Sequence, residues 1–157
     1  MSDAANGGSD SLDDVLGADH LRLDGRLSAL EAAIGARSAE ATGVLKRFSE
    51  GLIRHMTWEN EVLFPAVRGL ATPAQRRSIE SLEIDHERLR ETLEALDASL
   101  AAADFSAARE QVTWLKALLQ GHNYDEEHGV YEEADRLLAP AERRRLADQF
   151  RALPPSA

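Results

Sequence analysis

The sequence predicts an all-α protein: four antiparallel helices packed as a bundle, followed by a short fifth helix at the C-terminal end. Three observations carry this. Alanine, leucine, glutamate and arginine dominate, while glycine and proline supply only 10 and 5 of 157 residues, a composition that favours helix. Apolar residues recur at steps of three and four in four separate runs, the period of a helix with one buried face. Turn residues then separate the runs by short connections, which sets neighbouring helices antiparallel.

The first run is Leu16, His20, Leu23, Leu27, Leu30 and Ile34, with Gly35 near its end. The second includes Phe48, Leu52, His55, Glu59 and Val62. Pro65 lies inside this pattern; having no N–H to donate, it should kink the helix or end its regular part just beyond Glu59. Gly69 to Thr72 separates the second helix from the third, with Thr72 a natural N-cap and Pro73 at the first helical position. The third run is Ile79, Leu82, His86, Leu89, Leu93, Leu96 and Leu100. Asp104 can cap the fourth, which includes Leu115, Leu118, His122, Glu126 and Val130. Pro140 can begin the short fifth helix, reaching about Leu153 before Pro154 and Pro155 end it. Residues 1–11 are polar and acidic and read as a disordered tail, with neither the basic nor the apolar region of a signal peptide. Residues 12–153 make one domain, as the length allows.

Charge and composition exclude several classes of function. The formal charge is −10 and no basic stripe interrupts it, so nucleic acid and anionic membranes are poor partners. No apolar run approaches the ~20 residues of a membrane span. The chain has no cysteine, which removes thiolate metal sites, cysteine-ligated iron–sulfur clusters, disulfides and cysteine nucleophiles, and agrees with a cytoplasmic location.

In every one of the four runs a histidine or glutamate takes a slot that the pattern reserves for the core. His55 and Glu59 are four apart, as are His122 and Glu126, and a lone histidine precedes each pair, His20 and His86. Residues four apart lie on one helix face, about 40° apart around the axis, so each pair can aim an imidazole and a carboxylate at one point. A single histidine on an apolar face is ordinarily a hydrogen-bonded core residue. Two core-facing carboxylates are harder to accommodate, because ionised carboxylates are almost never fully buried unless paired or bound to a metal. Nitrogen and carboxylate oxygen together suit iron, manganese or zinc. Six such groups suit two metals, with Glu59 and Glu126 as bridges, since carboxylates bridge and neutral imidazoles do not. Ferritin-like bundles use a different spacing, Glu-x-x-His with further glutamates.

The two halves of the chain also resemble each other. Residues 19–30 align with 85–96 at an offset of 66, with identity at seven of the twelve positions, Asp, His, Arg, Leu, Leu, Ala and Leu. The segment 55–59 aligns with 122–126 at an offset of 67, and Phe64 and Tyr131 then match as aromatics. A duplicated hairpin related by a pseudo-twofold axis would bring two equivalent ligand sets face to face, which again favours two metals.

On His20, His55-MTW-Glu59 with the following NEVLFPA, Asp85-His86-ERLR, and His122-NYD-Glu126-Glu127, the chain resembles the hemerythrin-like (HHE cation-binding) domains over about residues 12–138. The resemblance implies an up-down-up-down antiparallel four-helix bundle and two non-haem iron ions in an oxo- or hydroxo- and carboxylate-bridged centre. Carried over position by position, the metal ligands are His20, His55, Glu59, His86, His122 and Glu126. Two positions depart from the oxygen-carrying members. Arg90 stands where they have a further histidine, and Glu127 stands where they have an aspartate, Glu126 fitting the four-residue spacing better. The chain is therefore more similar to the six-ligand subgroup, and its expected role is binding or reacting with dioxygen, nitric oxide or hydrogen peroxide, for sensing or stress protection. The alternative is an iron-responsive binding module, ordered by metal and read by a protein partner docking on the C-terminal helix. Whether turnover occurs is left open, since no general acid or base stands out beyond the ligands and their neighbours.

Among other residues, His128 lies about 120° off the ligand face and reads as a surface histidine. Glu61 and Glu127 read as surface groups or as groups bracing a ligand, and Glu127 would become a terminal ligand if the helix shifted register. Asp19 and Asp85, each preceding a lone histidine, can orient an imidazole or be solvated. Trp58, Trp114, Tyr124 and Tyr131 read as core packing, with sealing of the site as the other option. Arg90 can close the pocket or be solvated.

Overall fold

The computed structural model describes residues 9–154. Among them every regular element is helical: α1 (Leu12–Gly35), α2 (Ala41–Trp58), a π-helical turn (Glu59–Leu63), α3 (Phe64–Arg68), α4 (Pro73–Ala101), α5 (Phe105–Glu127), α6 (Val130–Leu137) and α7 (Pro140–Arg151). α2, the π turn and α3 follow one another without a break and make one long rod. α5 and α6 make another, interrupted at His128 and Gly129. With α1 and α4 these form the four antiparallel helices. α1 packs on α2 and α5, α4 packs on the same two, and α1 and α4 occupy opposite corners of the bundle.

The caps follow the local chemistry. Ser11 and Asp104 accept from Asp14 N–H and Ala107 N–H, and Thr72 forms a full capping box with Gln75 ahead of Pro73. α1 and α4 end alike, on Arg37 and Ala103 in the left-handed conformation at φ 52° and 53°. The next N–H in each case, Ser38 and Asp104, closes back to Ala33 and Ser99 carbonyls, so both helices end in the same Schellman turn at an offset of 66 residues. The internal repeat thus extends to the turns.

Two stretches depart from the expected periodicity, each for a backbone reason. Val62 was expected in the core, but it is only half-buried, while Leu63 and Phe64 are fully buried. The π turn adds a residue to the helical repeat at this point, with Phe64 N–H bonding to Glu59 carbonyl, and it ends one residue short of Pro65, which has no N–H to bond. In the fourth helix Leu119, rather than Leu118, is buried, completing the series Val112, Leu115, Leu119, His122 and Glu126. The break after Glu127 is built on Gly129, where a Cβ would stand 2.6 Å from the Asp125 carbonyl oxygen.

Residues 1–8 of the expected tail lie outside the described residues. Ser9 and Asp10 are tied to α7, with Arg151 donating to the Ser9 carbonyl and Arg144 to the Asp10 carboxylate at 3.0 Å. α7 itself turns its buried face, Leu146, Ala147 and Phe150, toward the bundle.

The apolar core falls into two clusters. One, between the α1–α2 and α4–α5 turns, contains Leu23, Leu27, Phe48, Leu52, Leu89, Leu93 and Leu119. The other, toward α3, α6 and α7, contains Leu16, Trp58, Leu63, Phe64, Leu82, Val130, Tyr131 and Phe150. Along each of the four helices the chain passes from one cluster to the other through a polar layer: His20 between Leu16 and Leu23, His55 and Glu59 between Leu52 and Leu63, His86 between Leu82 and Leu89, His122 and Glu126 between Leu119 and Val130.

Candidate metal centre

All six expected ligands meet in that layer, and all are buried, with Glu59, His86 and Glu126 fully sealed from solvent. They fall into two sets whose ligand atoms lie within 4.8 Å of one another: His20, His55, Glu59 and Glu126, and Glu59, His86, His122 and Glu126. The two shared members are the carboxylates. Each set takes its histidines from one helical hairpin, α1–α2 or α4–α5.

The imidazoles are held from behind. His55 Nδ1 lies 2.8 Å from Asp19, His20 Nδ1 2.8 Å from Glu127, His86 Nδ1 2.7 Å from Asn60 and His122 Nδ1 3.4 Å from Asp85. Every Nε2 therefore faces inward. His86 and His122 bring theirs to 3.1 Å of each other. Partners of this kind on the outer nitrogen fix the tautomer and ring orientation of a metal-binding histidine. The bracing set repeats with the chain: Asp19 and Asp85 are 66 residues apart, Asn60 and Glu127 are 67 apart, and Arg22 and Arg88 hold the two aspartates at 2.7 and 3.5 Å. This gives a physical role to the arginine that both halves share. The alternatives open for Asp19, Asp85 and Glu127 resolve as bracing groups. Asn60, Arg22 and Arg88 were not anticipated, although their spacing matches the repeat.

The carboxylates have more lone pairs than hydrogen bonds. Glu59 Oε2 and both oxygens of Glu126 are buried and accept no hydrogen bond. His122 Nε2 comes within 2.8 Å of Glu126 and His86 Nε2 within 3.2 Å of Glu59, but without hydrogen-bond alignment. Orphaned buried carboxylate oxygens are costly, and a cation among four inward-facing nitrogens satisfies them. The donor set, nitrogen and carboxylate oxygen without sulfur, fits iron.

The protonation pattern reflects the same charge problem. Burial disfavours charge on His55, yet the Glu59 carboxylate and the Asp19 hydrogen bond outweigh it and raise its pKa to about 10. His122 is likewise disfavoured by burial and raised to about 10 by Glu126 and Asp85. Asp19 is opposed by burial but held down at about 2 by His55 and Arg22. Burial and the facing Glu126 and Glu59 push the Tyr131 phenol well above its ordinary range. In the metal-free protein, protons on imidazole compensate the carboxylates that a cation would otherwise satisfy.

Of the aromatics, Tyr131 and Trp58 are buried, whereas Trp114 and Tyr124 are exposed and pack no core. Tyr124 stacks on the exposed His128 at 4.0 Å, on the solvent side of the helix. Glu61 is exposed. Arg90 donates to Thr57 at 3.2 Å. Phe150 of α7 packs edge-on against His55 at 5.6 Å and Trp58 at 5.0 Å. On its outer side lies a cleft of about 640 Å³, lined by Asp19, Arg22, Arg26, Arg54 and Leu153 among others. That cleft reaches the bracing Asp19 but not the ligands themselves.

The model of the hemerythrin HHE cation-binding domain matches residues 11–134. The chain belongs to this family. Nearly the whole bundle is covered, from the N-cap of α1 into α6, including all six of the expected ligand positions. Among curated proteins and among solved structures, none matches the chain. No helix among the described residues is long and apolar enough to cross a membrane.

Proposed function

We propose that this HHE domain is a non-haem di-iron protein that binds or reacts with a small ligand, dioxygen, nitric oxide or hydrogen peroxide, in sensing or stress protection. The observation that carries the reading is the pair of ligand sets sharing Glu59 and Glu126. One cation could not use four nitrogens on opposing hairpins and both carboxylates at tetrahedral coordination, whereas two cations divide them evenly. His20 and His55 would hold one iron, His86 and His122 the other, and Glu59 and Glu126 would bridge them.

Iron supplies redox change and open coordination positions. The rest falls to the chain. Asp19, Glu127, Asn60 and Asp85 keep each Nε2 aimed inward. Leucines above and below the layer exclude water. Phe150 lines the arginine-lined cleft and packs edge-on against His55, which makes it the point where a small uncharged molecule would pass from the cleft toward the layer. Arg90 adds no imidazole, which leaves fewer protein ligands on the His86 side than an oxygen carrier would have. A cytoplasmic setting and a soluble small-molecule partner belong to the same proposal.

A second reading has its own support. Phe150 packs α7 against His55, a contact through which metal occupancy would bear on the position of α7 in an iron-responsive module that presents that helix to a protein partner. Ferrous protein exposed in turn to dioxygen, nitric oxide and peroxide separates the two. A rapid ligand-dependent change in the iron absorption, or loss of peroxide, supports the first. An inert spectrum together with a large metal-dependent rise in Tm supports the second.

A further inference from the structure

Among the aromatic residues packed on the candidate ligands, the pseudo-twofold relation that organises the site is broken at one pair. Phe64 stacks on His86 with ring centroids 5.5 Å apart, and Tyr131, 67 positions later, lies against His20 at the same 5.5 Å. The difference between them is one hydroxyl. The Tyr131 oxygen lies 3.0 Å from His20 Nε2 and 3.1 Å from His55 Nε2, and it donates to Glu59 Oε1 at 2.5 Å. Three of the four ligand atoms of one set therefore converge on a phenol oxygen that is itself sealed from solvent. A hydroxyl has one proton, so it serves only one of these partners as donor.

We infer that Tyr131 is a further ligand, a phenolate oxygen, to the cation held by His20, His55, Glu59 and Glu126. The assignment rests on the di-iron reading above and adds to it that the two positions are chemically different. Coordination exchanges the phenol proton, released to solvent, for a bond from the oxygen to the cation. The proton now shared with Glu59 is the one lost, which frees that carboxylate oxygen as well. A hard anionic oxygen favours the ferric over the ferrous state, so the Tyr131 side is the harder of the two to reduce. The other side, with Phe64 in the equivalent place, has no such donor and retains the more open position for an incoming ligand.

The helix break just before Tyr131 supports this placement. Gly129 permits the break between α5 and α6, which starts a new helix at Val130 and sets the Tyr131 ring across the layer. Tyr131 and Tyr124 are the only tyrosines in the sequence, and Tyr124 is exposed and stacked on His128, so any phenolate signature has a clean control.

The test is the visible absorption and resonance Raman spectrum of the ferric protein, with iron per chain measured on each sample, for the wild type, Tyr131→Phe and Tyr124→Phe. The wild type and Tyr124→Phe should show a phenolate-to-iron charge-transfer band with enhanced tyrosinate ring modes, and Tyr131→Phe should lose both while still binding iron. Tyr131→Phe should also bring the reduction potentials of the two irons closer together. Two irons in the wild type with no such band, or an unchanged spectrum in Tyr131→Phe, would overturn the assignment and leave the di-iron reading standing. A wild type that binds no iron would overturn both.

Discussion

Replacing Asp19 by asparagine should weaken metal binding more than replacing Asp85 by asparagine, although the two aspartates occupy equivalent places in the repeat. Each holds the outer nitrogen of a ligand imidazole. The amide can still accept the Nδ1 proton, so the tautomer survives, but the negative charge that strengthens the imidazole as a donor is lost. Loss of such a partner typically costs on the order of 10–100-fold in metal affinity, or roughly 1.4–2.8 kcal/mol. The structure places Asp19 at the upper end and Asp85 at the lower. The Asp19 side chain is 9% exposed and 2.8 Å from His55, while the Asp85 side chain is 17% exposed and 3.4 Å from His122. Water competes with the second contact and barely with the first. Iron titration of the metal-free proteins against a competing chelator gives the affinities directly. Equal losses in the two variants, or a larger loss for Asp85→Asn, would refute the claim that bracing strength follows burial and distance.

Other outcomes follow from the same geometry. His55 and His122, raised to about 10, stabilise the metal-free fold fully below their ordinary value of 6.5 and lose that contribution as pH rises through about 10. Asp19, lowered to about 2, contributes above its ordinary 3.8 and loses its contribution as pH falls through about 2. Metal-free Tm should therefore fall on the alkaline side of neutrality, while the Tm gain from added iron grows with pH because ligation needs unprotonated imidazole; parallel pH profiles with and without iron would contradict this. Gly129→Ala should lower stability by about 1–3 kcal/mol, because the new Cβ meets the Asp125 carbonyl oxygen at 2.6 Å and backbone must move. Thermal unfolding measures it, and a neutral result would mean that the α5–α6 break is not built on that glycine. Phe150→Ala should speed iron removal by a chelator several-fold with little change in affinity, since the ring shields His55 and ligates nothing; an unchanged rate would place the access path elsewhere.

The fold was legible because three signals agreed. Leucines at helical spacing marked the buried faces, Thr72-Pro73 and Asp104 marked the starts, and the repeat tied the halves together. The buried histidine–glutamate layer was legible for a different reason: Glu59 and Glu126 occupy slots where carboxylates are costly. What the sequence hid were the consequences of backbone irregularity. The π turn at Glu59–Leu63 moves the core from Val62 to Leu63, and the break at Gly129 resets the helix that carries Tyr131, so neither position follows from counting. Tyr131 read as packing because a phenol and a phenyl ring look alike in a hydrophobic pattern. Asn60 escaped notice because bracing a histidine from another helix has no local spacing, and only its relation to Glu127 across the repeat could have signalled it.

The central claim is that two cations share two carboxylates between two pairs of histidines. Iron titration of the metal-free protein, followed by absorption and by bound iron per chain, tests it most directly. The account predicts saturation at two irons per chain, with Glu59→Gln weakening both positions together because Glu59 belongs to both sets. Saturation at one iron, or a Glu59→Gln protein that loses one iron and keeps the other at full affinity, would contradict it.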